Sequence, residues 1–425
     1  MLKNIIKRKD VRNKVLFVLF SVIILRIGAH LPVPFIDTTL IKEYFTNNNV
    51  DGFSLMNIFT GGSLENFSIF SLSITPYITA SIIIQLLGIT FPRLEEIQKD
   101  DLEKKTYNRI LKITTVVLSI IQSIGLVITF SRNGLLKMNV LTFLTVVISF
   151  TAGTMFLIWL GDEITTRGIG NGISMILMLN IISRIPNDLY GLYEMFIKNV
   201  DVVYMILRIA IILAIILFTI LMVIILDGAE RKIPITTAKK SYNGSNKSMS
   251  NIPIKVNIAG VVPVIFASTL LSIPVMIAAF IHKQGVWTNY FSQGQWFNPT
   301  TMKYTIGYLV YAVLIIFFAY FYTNITFNPI EVSNNLKKQG SMIPGIRPGN
   351  STINYLTSIV NPLIFIGTTW LLFIITIPII ANGTTNASVS FGGTSIIIVV
   401  GVIVESITQL ESSLINYEKR SFLSF

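Results

Sequence analysis

Cysteine is absent from all 425 residues, and histidine occurs only at His30 and His282. Without cysteine there is no disulfide framework, no thiolate nucleophile and no thiolate metal site. Two histidines are too few for a metal centre unless carboxylates supply the remaining ligands. Charge is also scarce, at 13% of residues, where a water-soluble domain carries about a quarter. An aqueous surface needs those charges, so most of this chain's surface must face lipid. No HExxH helix, GxSxG serine or GxxxxGK[ST] phosphate loop occurs, which leaves zinc, serine and nucleotide hydrolysis without their residues. The run Gly168-Ile-Gly170-Asn-Gly172 has the glycines of a dinucleotide loop. It lacks the soluble strand that such a loop follows, and it sits between two apolar helices.

Long apolar runs are what the chain has in abundance. A bilayer core about 30 Å thick takes about 20 apolar residues as helix. The sequence predicts ten such helices, over 15–32, 73–91, 110–130, 139–160, 171–186, 204–226, 256–281, 304–325, 353–380 and 393–412. Helices satisfy their own backbone, which lipid cannot do. With the N-terminus placed in the cytoplasm, cytoplasmic segments hold 24 Lys and Arg and the opposite side seven. That asymmetry predicts both termini inside. The net charge of +12 is therefore a topology signal, and direct DNA binding is not expected. The first apolar run carries Arg26 and His30, lacks a small-x-small cleavage site and precedes nine more spans, so it reads as an anchor and not a signal peptide.

Ten helices divide into two sets of five, an N-terminal half over 1–186 and a C-terminal half over 187–425. Helix two follows the broken stretch Gly61-Gly62-Ser63, and helix five is short and opens with Gly170-Asn171-Gly172. Interrupted segments of this kind often line a path at mid-membrane. Residues Ser63 to Leu72 can form a helix of about 15 Å, half a membrane thickness. Glu65 and Asn66 make lipid a poor home for it. A hinge at Ser73-Ile74-Thr75-Pro76 follows, then a full span. Two readings fit: a re-entrant element held inside protein or a water-filled cavity, or an amphipathic helix on the outer face.

Several long motifs resemble the SecY family of protein-conducting channels. They are the 57–87 stretch just described, Arg26-Ile-Gly28-Ala-His-Leu-Pro32, and Trp159-Leu-Gly161-Asp-Glu-Ile-Thr-Thr-Arg167-Gly-Ile-Gly-Asn-Gly-Ile-Ser174. Further along stand Lys255-Val-Asn257-Ile-Ala-Gly260-Val-Val-Pro263-Val-Ile-Phe266-Ala-Ser268, Phe327-Asn328-Pro329, Asn335-Leu-Lys-Lys-Gln-Gly340, Pro344-Gly-Ile-Arg347-Pro-Gly349 and Phe391-Gly-Gly-Thr-Ser395. Together they cover nearly the whole chain with helices in order.

The resemblance implies an all-α integral membrane protein whose two pseudo-symmetric five-helix halves surround an hourglass pore. It implies a plug at about 61–72, carried by Gly61, Gly62, Ser63, Leu64, Glu65, Asn66, Phe67, Ser68, Ile69 and Phe70. It also implies a constriction of six apolar residues, Ile74, Ile78, Ile173, Leu177, Ile265 and Ile398, although the family more often has isoleucine where Leu177 stands. Such a ring excludes water and deforms around a peptide without binding it. The family's lateral gate maps onto Gln85, Gln122 and Thr269, whose pairing would favour a closed gate. The cytoplasmic loops 227–255 and 326–352 would dock a SecA motor ATPase or the ribosome through Arg347, Arg231, Lys232, Lys337 and Lys338. The Ser241 to Ser250 tip is less basic and slightly shorter than the family pattern. SecE-like and SecG-like small membrane subunits, preprotein signal sequences and membrane lipid are the further partners implied, with the bacterial cytoplasmic membrane as location and no cofactor.

Two rival readings remain. A secondary transporter of a small solute needs paired ionisable groups at mid-membrane. Here Arg26 and Glu405 lie within spans, Arg208 lies at a span end, and Asp227 and Glu230 sit at a boundary. An intramembrane enzyme lacks its serine, paired aspartates or zinc motif; no catalysis is expected. The charge bias makes a direct prediction. Protease added to right-side-out vesicles should spare the 227–255 and 326–352 loops, and cleavage there would reverse the orientation.

Overall fold

The computed structural model describes residues 9–34, 36, 38–47, 59–99, 103–136, 139–196, 201–237, 250–281, 285–385 and 393–422. The 241–249 loop tip, Lys3 to Arg8, Lys239, Lys240, Lys247 and His282 lie outside these residues. Helices occupy all ten predicted positions. They are α1 (Lys9–His30), α3 (Thr75–Thr90), α5 (Lys104–Arg132), α6 (Val140–Arg167), α7 (Gly172–Phe196), α8 (Val202–Gly228), α9 (Val262–Ile281), α10 (Ile306–Thr326), α12 (Asn350–Thr385) and α13 (Gly393–Phe422). Shorter helices α2 (Thr38–Asn47), α4 (Pro92–Lys99) and α11 (Pro329–Lys338) lie between them. Among the described residues, seven helices are long and apolar enough to cross a membrane, and α3 is apolar but shorter. The fifth predicted helix, expected over 171–186, continues ten residues further, to Phe196.

Local chemistry sets the helix ends. Pro76 stands in the first turn of α3, where its missing N–H costs nothing and its ring fixes φ. Asn171 accepts from the backbone N–H of Ile173 (3.0 Å) and starts α7. Asn328 accepts from Ile330 N–H (3.0 Å) ahead of Pro329, and Lys337 and Lys338 close α11 at its negative end.

The two long loops form one unit. Strand β1 (Glu230–Thr237) pairs antiparallel with β2 (Ser250–Lys255), with Ile233 opposite Ile252, and with β3 (Ser341–Met342) on its other side. Ile233 and Ile254 are buried against Leu336, Ile343 and Leu356. In sequence the two loops are separated by α9 and α10. Strand pairing and this small apolar core join them.

Glycine admits close backbone approach where α6 meets the start of α7 and Ile69. A Cβ on Gly172 would stand 1.9 Å from the Gly161 carbonyl oxygen, and one on Gly153 would stand 2.1 Å from that of Ile69. The Gly168-Ile-Gly-Asn-Gly172 run is thus a tight turn between α6 and α7. Its Gly170 N–H donates to Gln409 Oε1 and its Gly172 N–H to Thr165 Oγ1 (2.9 Å). Gly172→Ala should cost about 1–3 kcal/mol by overpacking and lower the thermal midpoint in detergent. An unchanged midpoint would show that α6 and α7 have room to part.

Candidate functional site

Four helices bring the predicted constriction together. Ile74 and Ile78 open α3, Ile173 and Leu177 lie one turn apart at the start of α7, Ile265 opens α9 and Ile398 lies in the first turns of α13. Ile74, Ile78, Leu177, Ile265 and Ile398 are all buried in one large apolar cluster, and the half-buried Ile173 packs against it. All six thus belong to, or pack against, one apolar cluster to which α3, α7, α9 and α13 contribute.

Beside it lies the segment that the resemblance assigns to the plug. Ser63 to Leu72, expected as a short helix, is instead a succession of tight turns. Gly61 (φ 65°), Gly62 (φ 81°), Phe67 (φ 45°) and Ser73 (φ 50°) all adopt left-handed backbone, which interrupts a right-handed helix at each point. The turns close locally through Phe67 N–H to Leu64 O (3.0 Å), Ser71 N–H to Ser68 O (3.0 Å) and Ser73 N–H to Phe70 O (2.9 Å). The Ser71 hydroxyl adds bonds to Ser68 O (2.6 Å) and Ser63 O (3.1 Å).

The segment is also clipped to the end of α1. Val33 N–H donates to Phe67 O (3.0 Å) and Ile69 N–H to Leu31 O (3.1 Å). Its apolar side chains sit in a second cluster. Leu64, Phe67 and Leu72 are fully buried with Leu126, Phe130, Phe150 and Met276. Phe67 meets Phe130 edge-on at 5.4 Å and Phe150 at 5.0 Å between ring centroids. Of the two readings left open for this stretch, burial favours the re-entrant one over a helix on the outer surface.

The gate residues do not pair with one another. Helices α3, α5 and α9 are in contact, yet no hydrogen bond links Gln85, Gln122 and Thr269. Gln85 Nε2 donates to Ser81 Oγ on its own helix (3.0 Å), and the Thr269 hydroxyl donates back to Ile265 O (2.8 Å). A threonine that bonds to its own helix needs no partner across the interface. Gln122 is buried with its Oε1 unsatisfied. The α5–α9 contact is made further along, where Thr129 Oγ1 donates to Ala279 O (3.4 Å) and Gly125 faces the Phe280 ring.

On the opposite end, Arg347 is exposed in the turns between β3 and α12, and its carbonyl accepts from Thr352 Oγ1 (3.0 Å). Arg231 and Lys232 are exposed on β1, where Lys232 pairs with Glu230 at 3.2 Å. Lys337 and Lys338 are exposed at the end of α11. The shared sheet places all five on one structural unit.

Three residues that bear on the site were missed by the sequence analysis. Asn180, Ser183 and Arg184 of α7 all touch the turn segment or its flanks. Polar side chains at spacings of three and four inside an apolar span were the available signal.

Comparison with known proteins agrees with this architecture. The SecY family model matches residues 68–407. A protein translocase subunit SecY of Bacillus subtilis (strain 168) is 40% identical over 437 residues, covering 99% of both chains. One of Streptomyces scabiei is 38% identical, covering 98% of both. Among solved structures, one described as a protein conducting channel superposes with a TM-score of 0.68 at 19% identity, covering 96% of this chain and 93% of that one. A SecY structure concerned with the plug domain gives 0.66 at 17% identity over the same shares. Sec61 in a canine ribosome–channel complex gives 0.65 at 19% identity, again with 96% and 93% covered. These likenesses establish the fold, and the full-length relatives together with the family match establish the lineage. The chain is a multi-pass membrane protein and belongs to the SecY family.

Proposed function

We propose that this chain is a protein-conducting channel that moves unfolded preproteins across the bacterial cytoplasmic membrane and releases membrane segments sideways into lipid. The observation that carries this reading is the pairing of two barriers. An apolar layer drawn from four helices lies beside a buried segment that cannot itself span the bilayer. A pore for polypeptide must hold back ions at rest, and such a pair meets that need. The apolar ring excludes water, and the plug fills the funnel outside it.

In this reading the two halves, whose predicted boundary at 186/187 moves to the end of α7 at Phe196, part along α3 and α9 to let segments into lipid. Gln85 and Thr269 lie on the parting helices, and Gln122 lies on the adjoining α5. Gln85 and Thr269 bond within their own helices, so no hydrogen bond between them has to break as the helices part. Both termini and the sheet-bearing loops face the cytoplasm, where Arg347, Arg231, Lys232, Lys337 and Lys338 present a cationic surface to a SecA motor or a ribosome. SecE-like and SecG-like subunits complete the assembly. The chain has no catalytic role, and the driving energy comes from the motor, translation or the membrane potential. A small-solute transporter is the weaker reading, because full-length relatives at 38–40% identity are translocase subunits.

Reconstitution with a motor ATPase and a preprotein tests the reading, and failure to export any preprotein would overturn it. Polar replacement of the ring, Ile78→Asn with Ile265→Asn, should wet the constriction. Single-channel recording should then show resting conductance raised several-fold, with poorer rejection of defective signal sequences. Ring variants as tight as the parent would make these six residues packing residues. Deleting 63–72 should leave a leaky channel that still exports, because the ring remains. Arg347→Glu should abolish export while the protein still inserts and folds; normal export by that variant would remove Arg347 from the docking surface.

A further inference from the structure

The face of α7 that carries Ile173 and Leu177 continues through Asn180 and Arg184, at successive spacings of four, three and four residues. Such spacing keeps all four on one side of a helix. The first pair belongs to the apolar layer, and the second pair holds the plug. Asn180 Nδ2 donates to Phe59 O (3.0 Å) and to Ser73 Oγ (3.0 Å), so it bridges the two ends of the turn segment. Ser183 Oγ donates to Gly61 O (3.3 Å) and to Asn180 O (2.6 Å). Gly61 lies so close that a Cβ there would stand 2.9 Å from Asn180 Cα. Arg184 reaches the middle of the segment, with Nη1 at 3.4 Å from Glu65 Oε1 and Nε at 3.9 Å from Asp188 Oδ1. The Arg184 side chain is 16% exposed and that of Glu65 33%, so the pair is only partly screened by solvent.

We infer that Asn180, Ser183 and Arg184 form a polar latch that ties the seated plug to the position of α7, and that the Arg184–Glu65 pair sets how readily the channel opens. The inference rests on the channel reading given above. Its physical basis is that one rigid helix carries both parts. Moving α7 outward to widen the constriction draws Arg184 away from Glu65, and lifting the plug breaks the same pair. The constriction and the plug therefore respond to one displacement. A signal sequence that binds well supplies the free energy to break the latch, and a defective one does not. These are positioning residues: they touch the plug and not the translocating chain.

The test is export from proteoliposomes holding the assembled channel and motor. Two preproteins are compared, one with an intact signal and one with a charged residue inserted in its apolar signal core. In Glu65→Gln and in Arg184→Gln, export of the defective preprotein relative to the intact one should rise about fivefold, the weight of one partly exposed ion pair. The double variant should rise no further than the larger single change, because both remove the same pair. Arg184→Lys, which keeps the charge, should stay near the parent ratio. Single variants with the parent ratio, or singles whose effects multiply in the double variant, would overturn the latch. Should Arg184→Gln fail to accumulate, Glu65→Gln at the more exposed end decides the matter alone. If the parent chain exports neither preprotein, the channel reading itself falls; if it exports the intact one and the ratios do not move, only the latch does.

Discussion

Irregular backbone among membrane helices has nowhere to put its N–H and C=O groups unless protein supplies the partners. In the turns of 61–74 the backbone N–H groups of Ser63, Asn66, Phe67, Ser68, Ile69, Ser71 and Ser73 find carbonyl acceptors. Their polar groups close on one another, on Leu31 and Val33 after α1, and on Asn180 and Ser183 of α7. Gly153 removes a side chain from α6 where the Ile69 carbonyl must pass. Magnitudes show which contacts hold the segment and which orient it. Leu64, Phe67 and Leu72 are fully buried, and each gains about 1.5–3 kcal/mol over exposure to a water-filled funnel. Each hydrogen bond contributes about 0.5–1.5 kcal/mol net. The apolar seat therefore supplies most of the hold, while the directional bonds fix the geometry and tie it to particular helices.

The same division of labour recurs at the other end of the molecule. Isolated basic loops would be solvated and mobile, with their charges spread over many arrangements. Here Ile233, Ile254, Leu336 and Ile343 make a small core under a three-stranded sheet. That core gives Arg231, Lys232, Lys337, Lys338 and Arg347 a common platform. Positive-φ glycines at 345 and 349 turn the chain sharply on either side of Arg347, which sets its direction as well as its exposure.

Much of this was legible in the residues. Apolar run length located ten helices, and the sparse charge placed them in a membrane. The hinge ending at Pro76 and the Gly170-Asn171-Gly172 opening marked the starts of α3 and α7. The plug was legible as a non-spanning, half-polar stretch but not in its conformation. A helix was expected because its composition permits one, whereas left-handed backbone at Phe67 and Ser73 is imposed by the seat and cannot be read from those residue types. The resemblance assigned Gln85, Gln122 and Thr269 to a gate and implied that they pair. Their bonding was not legible, because a threonine or glutamine can bond to its own helix as readily as across an interface, and only packing distance decides which.

The sequence by itself determined membrane residence and the order of helices, and it predicts the side on which the positive charge collects. These follow from local quantities, the length of an apolar run and the count of Lys and Arg beside it. Tertiary structure alone decided which aliphatic side chains meet, because isoleucines that face lipid and isoleucines that pack inside look alike in a helical pattern. It also decided that Arg184 reaches Glu65 across 119 residues of chain. Neither residue announces the other; their encounter depends on a turn segment folding back against a helix, and that fold depends on contacts distributed over α1, α5, α6 and α7.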